Sequence, residues 1–121
     1  MLIVDDVDLN REIATAVIED AGMKAETAEN GQAAVDKIAQ SQDGYYDLIL
    51  MDVMMPIMDG YQATQEIRKL EDRKLADIPI IAMTANAFEE DRQAAITAGM
   101  DDHLSKPIQI EKLYEMMKKY L

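Results

Sequence analysis

Three short apolar runs punctuate this chain, Leu2-Ile3-Val4, Leu48-Ile49-Leu50-Met51 and Ile80-Ile81-Ala82-Met83, and a shorter mixed run, His103-Leu104-Ser105, follows them. Each is too short for a buried helix and is bounded by polar or turn residues, so each reads as a strand. Between them lie amphipathic stretches with helical spacing. The pattern predicts strands over 2–5, 24–28, 47–51, 78–83 and 102–105. The second alternates instead of being solidly apolar, which places it at a sheet edge. Pro79 suits a strand start but not a strand centre.

Helices are predicted over 8–21, from a cap at Asn30 to the polar turn 41–46, over 60–70, over 87–98 and over 109–121. The first carries Ile13, Val17 and Ala21 as an inward stripe and stops at Gly22. The second turns Ala34, Val35 and Ile38 inward, the fourth stops at Gly99, and the last presents Ile110, Leu113 and Met117. Residues 52–59 read as a loop and 71–77 as a charged connection. Asp43-Gly44 and Asp59-Gly60 are turns leading into other elements, because no alternating strands flank them as a hairpin would need.

Alternating strands and helices imply an α/β domain with five parallel strands and five helices. The simplest arrangement is doubly wound and flavodoxin-like, with order 2-1-3-4-5. Such sheets bind ligands at the carboxyl ends of their strands, at the switch point between strands 1 and 3. Asp5, Asp6 and Asp52 are delivered there. Thr84 ends strand 4, and Lys106 follows strand 5.

The 121 residues favour one domain, 1–121, long enough for a core without cross-links. There is no cysteine, which excludes disulfides and thiolate chemistry and fits a reducing cytoplasm. No run approaches the roughly 20 apolar residues of a membrane span, and no basic leader precedes strand 1. The abrupt start on a strand suits an excised module or a tightly cut regulator. A formal charge of -12, from 24 acids and 12 bases, opposes direct nucleic-acid binding. It suits instead a divalent cation or a partner with a basic face.

Three clustered carboxylates repel one another, and a hard cation relieves them. Mg²⁺ needs only one or two carboxylates and a carbonyl, keeping its remaining waters. Asp6 and Asp52 are assigned as direct ligands, the Met54 carbonyl as a third, and Asp5 as a ligand through water. A helix-capping role for one of the first pair is plausible, but it does not explain both acids together with Asp52. A carboxylate can also act as nucleophile toward phosphorus, giving an acyl phosphate. Lys106 would then hold one oxygen of the transferring group, and Thr84 could donate to another. Singly, Lys106 is an ordinary solvated lysine and Thr84 an ordinary strand-end residue; their joint placement carries the argument. Met54 and Asn86 would flank the group, and apolar Met54 offers no hydrogen bond to an attacking water.

The sole histidine, His103, has no second imidazole or thiolate with which to build a zinc site, and a structural place suits it. The ten methionines fall mostly at core positions or in the loop after Asp52, so core filling explains them better than a binding surface.

The Asp5-Asp6 pair, the loop from Asp52 to Pro56-Ile57-Met58-Asp59-Gly60, the strand end Met83-Thr84-Ala85 and Lys106-Pro107 together resemble the receiver domain of two-component response regulators. The resemblance spans essentially the whole chain. It implies that Asp52 accepts a phosphoryl group from a partner phosphohistidine, on a histidine kinase or a histidine phosphotransfer domain, with Mg²⁺ (or Mn²⁺ in its place). It implies that Thr84 and position 103 form a coupled switch, though the family usually has tyrosine or phenylalanine where this chain has His103. It implies a cis Lys106–Pro107 bond. A phosphorylation-dependent dimer is compatible with it. The segments 82–87 and 99–103 look most like receivers of hybrid sensor histidine kinases.

Three other functions compete. An aspartate-nucleophile phosphohydrolase needs a general acid two residues after its nucleophile, where Met54 stands. A flavin-binding module needs a phosphate loop after strand 1, where Asp5-Asp6-Val7-Asp8 would repel phosphate. A phosphorylation-independent interaction domain would not need the intact set of Asp5, Asp6, Asp52, Thr84 and Lys106.

Overall fold

In a parallel sheet covered on both faces, successive residues of the central strands enter two different cores, so those strands are apolar almost throughout while the edge strands are mixed. The computed structural model, which describes residues 1–85 and 89–121, is built this way. The strands are β1 (Leu2–Val4), β2 (Glu26–Ala28), β3 (Ile49–Asp52), β4 (Ile80–Thr84) and β5 (Asp102–Ser105). All pairs are parallel, in the order β2-β1-β3-β4-β5. The predicted order and the edge position of β2 are both observed.

Six helices occur among the described residues: α1 (Asp8–Asp20), α2 (Gly31–Ala39), α3 (Gly60–Arg68), α4 (Arg73–Ala76), α5 (Glu89–Ala98) and α6 (Ile110–Tyr120). Leu2, Val4, Ile49, Met51, Ile80 and Ala82 face one core, shared with residues of α2, α3, α4 and α5. Ile3, Leu50, Ile81, Met83 and Leu104 face the other, shared with Ala14, Val17 and Ile18 of α1 and Leu113 and Met117 of α6. Odd and even strand residues thus separate the two helix layers.

Several expectations need correction. The inward stripe of α1 is Ala14, Val17 and Ile18, while Ile13 is 48 % exposed and Ala21 lies on the surface. Ile13 sits one position, about 100° of helix, from the true stripe. Ile110 is also exposed, since it opens α6 before the helix settles against the sheet. The charged connection 71–77 contains α4, capped by the Asp72 side chain on the Lys74 N–H. Within the turn 41–46, Tyr46 is buried, its hydroxyl donating to Glu26 at 2.9 Å. Pro79 lies just outside β4, where its carbonyl accepts from the Ile49 N–H. The predicted start of the fourth helix at position 87, and Asn86, fall outside the described residues.

Elsewhere the local chemistry behaves as anticipated. Asn30 caps α2 through Ala33 N–H. Asp59, read from the sequence only as part of a turn, also caps α3 in a reciprocal box with Gln62. Gly22 and Gly99 take positive φ at the ends of α1 and α5.

Candidate functional site

Residues that follow β1, β3, β4 and β5 meet at the carboxyl edge of the sheet. Asp5 directly follows β1, and Asp52 closes β3; both are buried, at 1 % and 3 % exposure. Asp6 is exposed. The three acids each offer an oxygen within 4.8 Å of the others. Lys106 reaches into this group after β5, its Nζ 2.9 Å from Asp52 Oδ2 and 3.2 Å from Asp5 Oδ2. The Lys106–Pro107 peptide is cis, and the Lys106 N–H donates to the Thr84 carbonyl at 2.8 Å. The ends of β4 and β5 are therefore tied to each other beside the acids.

Backbone packing sets the place of Asp52. The loop after it doubles back, and Gly60 N–H donates to the Val53 carbonyl at 3.0 Å. A Cβ on Gly60 would lie 2.2 Å from the Asp52 carbonyl oxygen, so only glycine permits this approach. Gly31 plays the same part lower in the loop, where a Cβ would meet the Met58 carbonyl at 2.4 Å. Thr64 fastens the start of α3 by donating to the Gly60 carbonyl at 2.8 Å. Between these points the chain turns outward, leaving Met54 77 % and Ile57 82 % exposed. Ile57 takes φ of 70°, an uncommon conformation for a β-branched residue.

Burial raises the Asp52 pKa above the usual carboxylate range; the Lys106 ammonium opposes this and Asp5 adds to it. Asp52 Oδ1 also accepts from the Met54 N–H at 3.3 Å. Burial works against the Lys106 charge, but Asp52 and Asp5 outweigh it and its pKa rises. A carboxylate held by one lysine and crowded by two further acids keeps an excess of negative charge. An all-oxygen donor set with such an excess fits a hard divalent cation of the Mg²⁺ kind.

The acid pair does not cap α1 in the ordinary way. The N-cap is Val7, with no side-chain cap, and Asp5 Oδ1 accepts the Val7 N–H at 2.9 Å. Thr84 and His103 lie on one face of the sheet, because Thr84 pairs with Ser105 and Ala82 with His103. His103 is half-buried, its Nδ1 3.7 Å from Asp102 Oδ1. Ala85 and Pro107 are exposed at the rim.

Sequence reading missed Arg11. Its guanidinium donates to the Asp5 carbonyl at 2.6 Å and is paired with Asp8. An arginine one helical turn beyond a pair of site acids is a usable signal, but the acceptor is a main-chain oxygen and leaves no trace in the sequence.

With fold and site in place, the comparisons with known proteins agree. The family model for the response regulator receiver domain matches residues 1–118. The chain belongs to that family, the phosphorelay receiver domains. It is 40% identical over 121 residues to the hybrid signal transduction histidine kinase L of Dictyostelium discoideum, covering 99% of this chain but 7% of that protein. The chain thus spans a small fraction of the hybrid kinase it matches. Among solved structures, the receiver domain of a sensor histidine kinase from Pseudomonas aeruginosa, with a magnesium ion coordinated in its active-site cleft, superposes with a TM-score of 0.87. That likeness has 36% identity and covers 98% of this chain and 93% of the other. The receiver domain of the Saccharomyces cerevisiae regulator Ssk1, solved with the histidine phosphotransfer protein Ypd1, gives a TM-score of 0.90 at 28% identity, covering 98% and 86%. No helix among the described residues is long and apolar enough to cross a membrane.

Proposed function

We propose that residues 1–121 form one receiver domain in which Asp52 takes a phosphoryl group from a phosphohistidine of a histidine kinase or histidine phosphotransfer domain. The observation that carries this reading is the Asp52 carboxylate, fixed at a strand end between Lys106 and the acids Asp5 and Asp6.

An Asp52 oxygen attacks phosphorus. The new P–O bond forms as the P–N bond breaks, and the electron pair of that bond stays on the departing imidazole nitrogen. Lys106 follows the charge from the carboxylate to a phosphoryl oxygen without leaving its place, since its flexible stem lets a point charge track its partner. Thr84 donates its hydroxyl to another phosphoryl oxygen. Asp5, Asp6, Asp52 and the Met54 carbonyl would hold Mg²⁺, or Mn²⁺ in its place. The ion supplies a positive charge for the non-bridging oxygens. Asp5 would act through water and the others directly.

Exposed Met54 stands beside the reacting carboxylate, and Ala85 and Pro107 lie exposed at the rim. Movement of Thr84 toward the phosphoryl group is transmitted across the shared sheet face to His103, and from there to a partner-binding surface or a dimer. The domain acts in the cytoplasm, without direct contact to nucleic acid or membrane.

Incubation with Mg²⁺ and acetyl phosphate, followed by intact-mass measurement, tests the reading. One added phosphoryl group is expected on the wild type and none on Asp52→Asn. An unmodified wild type, or an undiminished adduct on the variant, would overturn it.

A further inference from the structure

A chain segment that leaves a sheet loses its ladder partners and must find others. The segment Asp5-Asp6-Val7 leaves β1 in this way and enters α1 without a side-chain cap. Every polar atom of Asp5 is nevertheless engaged. Its N–H donates to the Ala28 carbonyl at 3.2 Å, Oδ1 accepts from Val7 N–H at 2.9 Å, and Oδ2 faces Lys106 at 3.2 Å. The remaining atom, its carbonyl oxygen, takes the Arg11 Nη1 donor at 2.6 Å. The other guanidinium nitrogen, Nη2, is paired with Asp8 Oδ1. The Arg11 side chain is 13% exposed although it sits in the first turns of a surface helix, whereas its partner Asp8 is 86% exposed.

This geometry is wasteful for a surface ion pair and apt for a tether. The planar fork spans the carbonyl of residue 5 and the carboxylate of residue 8, the two ends of the loop that carries the acid pair. Arg11 N–H also donates to the Val7 carbonyl, so the helix turn bearing the guanidinium is itself seated on that loop. Resting on the phosphoacceptor reading above, we infer that Arg11 is a positioning residue: it fixes the β1–α1 loop so that Asp5 and Asp6 keep their places in the acid cluster.

Charge and position give opposite signs, and this makes the inference testable. Arg11 brings a positive charge beside the acid cluster. If charge were its whole influence, removing it would tighten binding of a divalent cation, the more so because Asp8 would be left unpaired. If position dominates, removing it loosens the acids and weakens binding, as loss of an outer support does in metal sites.

The experiment compares wild type, Arg11→Met and Arg11→Lys by calorimetric titration with Mg²⁺, alongside amide exchange at Asp6 and Val7 in metal-free buffer. Arg11→Met should bind Mg²⁺ about tenfold more weakly, with faster exchange at both amides. Arg11→Lys, which keeps the charge and loses the fork, should fall between. Equal or tighter binding by Arg11→Met overturns the inference, as does unchanged exchange. Were the wild type to take no Mg²⁺, the cation part of the phosphoacceptor reading would fall. The exchange result would then decide the tether by itself, acceleration upholding it and no change overturning it. Were Arg11→Met to unfold, the lysine variant would decide by the same two measurements.

Discussion

Lys106 Nζ stands 2.9 Å from Asp52 Oδ2, yet the pair does not bring Asp52 back to an ordinary carboxylate pKa. Burial raises it most, the lysine opposes that, and Asp5 adds to the rise. Ionising Asp52 therefore costs more in the folded domain than in water.

The pH dependence follows from that shift. The Asp52 pKa is higher in the folded state than the value of 3.8 it has when free. Below 3.8 both states are protonated, and ionisation costs the fold nothing. As pH rises through the folded pKa, stability is lost, and above it the loss is constant. Asp52→Asn removes this loss, and Lys106 keeps Asp5 as a partner. The variant should be more stable than wild type at pH 7 by about 1 kcal/mol, the gap closing as pH approaches 3.8. Urea titrations between pH 3 and 8 check it. A wild type more stable than the variant at pH 7 would show that the lysine pair outweighs burial.

Mg²⁺ should stabilise wild type by mass action, by about 1.4 kcal/mol at a concentration ten times its dissociation constant. Asp6→Asn and Asp52→Asn should lose most of that gain, because each removes a proposed direct ligand. Thermal unfolding with and without excess EDTA reads the difference. A full Mg²⁺ response in Asp6→Asn would remove that exposed acid from the ligand set.

Gly60 and Gly44 separate crowding from backbone strain. A methyl group at Gly60 meets the Asp52 main chain from 2.2 Å, and backbone cannot swing aside as a side chain can. Gly60→Ala should cost about 2–3 kcal/mol and slow phosphorylation by acetyl phosphate, because it pushes on the nucleophile's own peptide. Gly44 has φ of +80° but open space around it. Gly44→Ala should cost about 1 kcal/mol and leave phosphorylation unchanged. Equal effects of the two on phosphorylation would refute the loop-packing argument.

Much of this was legible in the sequence because the site is made where strands end, and strands announce themselves by apolar runs. Asp5, Asp52, Thr84 and Lys106 could be placed from those runs. The phase of α1 could not be read so directly. Leu9 and Ile13 make as good an apolar stripe as Ala14, Val17 and Ile18, and only packing decides which faces the sheet. Helix α4 escaped because four residues carry no period. Arg68 escaped for the same reason as Arg11. It donates to the carbonyls of Ala76, Ile78 and Gly99 and to Asp101, all distant in sequence and three of them main-chain atoms.

Arg68 also holds the far end of the sheet. It gathers the approaches to β4 and β5 at their amino ends, opposite the acids, and Asp101 extends the link by accepting Ile80 N–H at 2.8 Å. Arg68→Met leaves three carbonyls without their donor and should cost about 3 kcal/mol. Arg68→Lys should recover little, since one ammonium cannot serve acceptors spread over a fork. Denaturant midpoints measure both. Under native conditions phosphorylation of either variant should match wild type, because the arginine lies at the far end of the sheet.

Met54 bears on the lifetime of the phosphorylated state. Its N–H reaches Asp52 Oδ1 at 3.3 Å, while its side chain is 77 % exposed and offers no donor or acceptor that would orient water toward phosphorus. Hydrolysis needs such a water in line with the P–O bond, so a polar side chain at this position should hasten it. Met54→Asn is the sparing test, because it changes the side chain and keeps the main-chain N–H and the carbonyl assigned to the cation. Dephosphorylation of the isolated acyl phosphate should be about tenfold faster in the variant, with the rate of phosphorylation from acetyl phosphate little altered. A hydrolysis rate equal to or below that of wild type would mean that access of water to the site is set elsewhere along the rim.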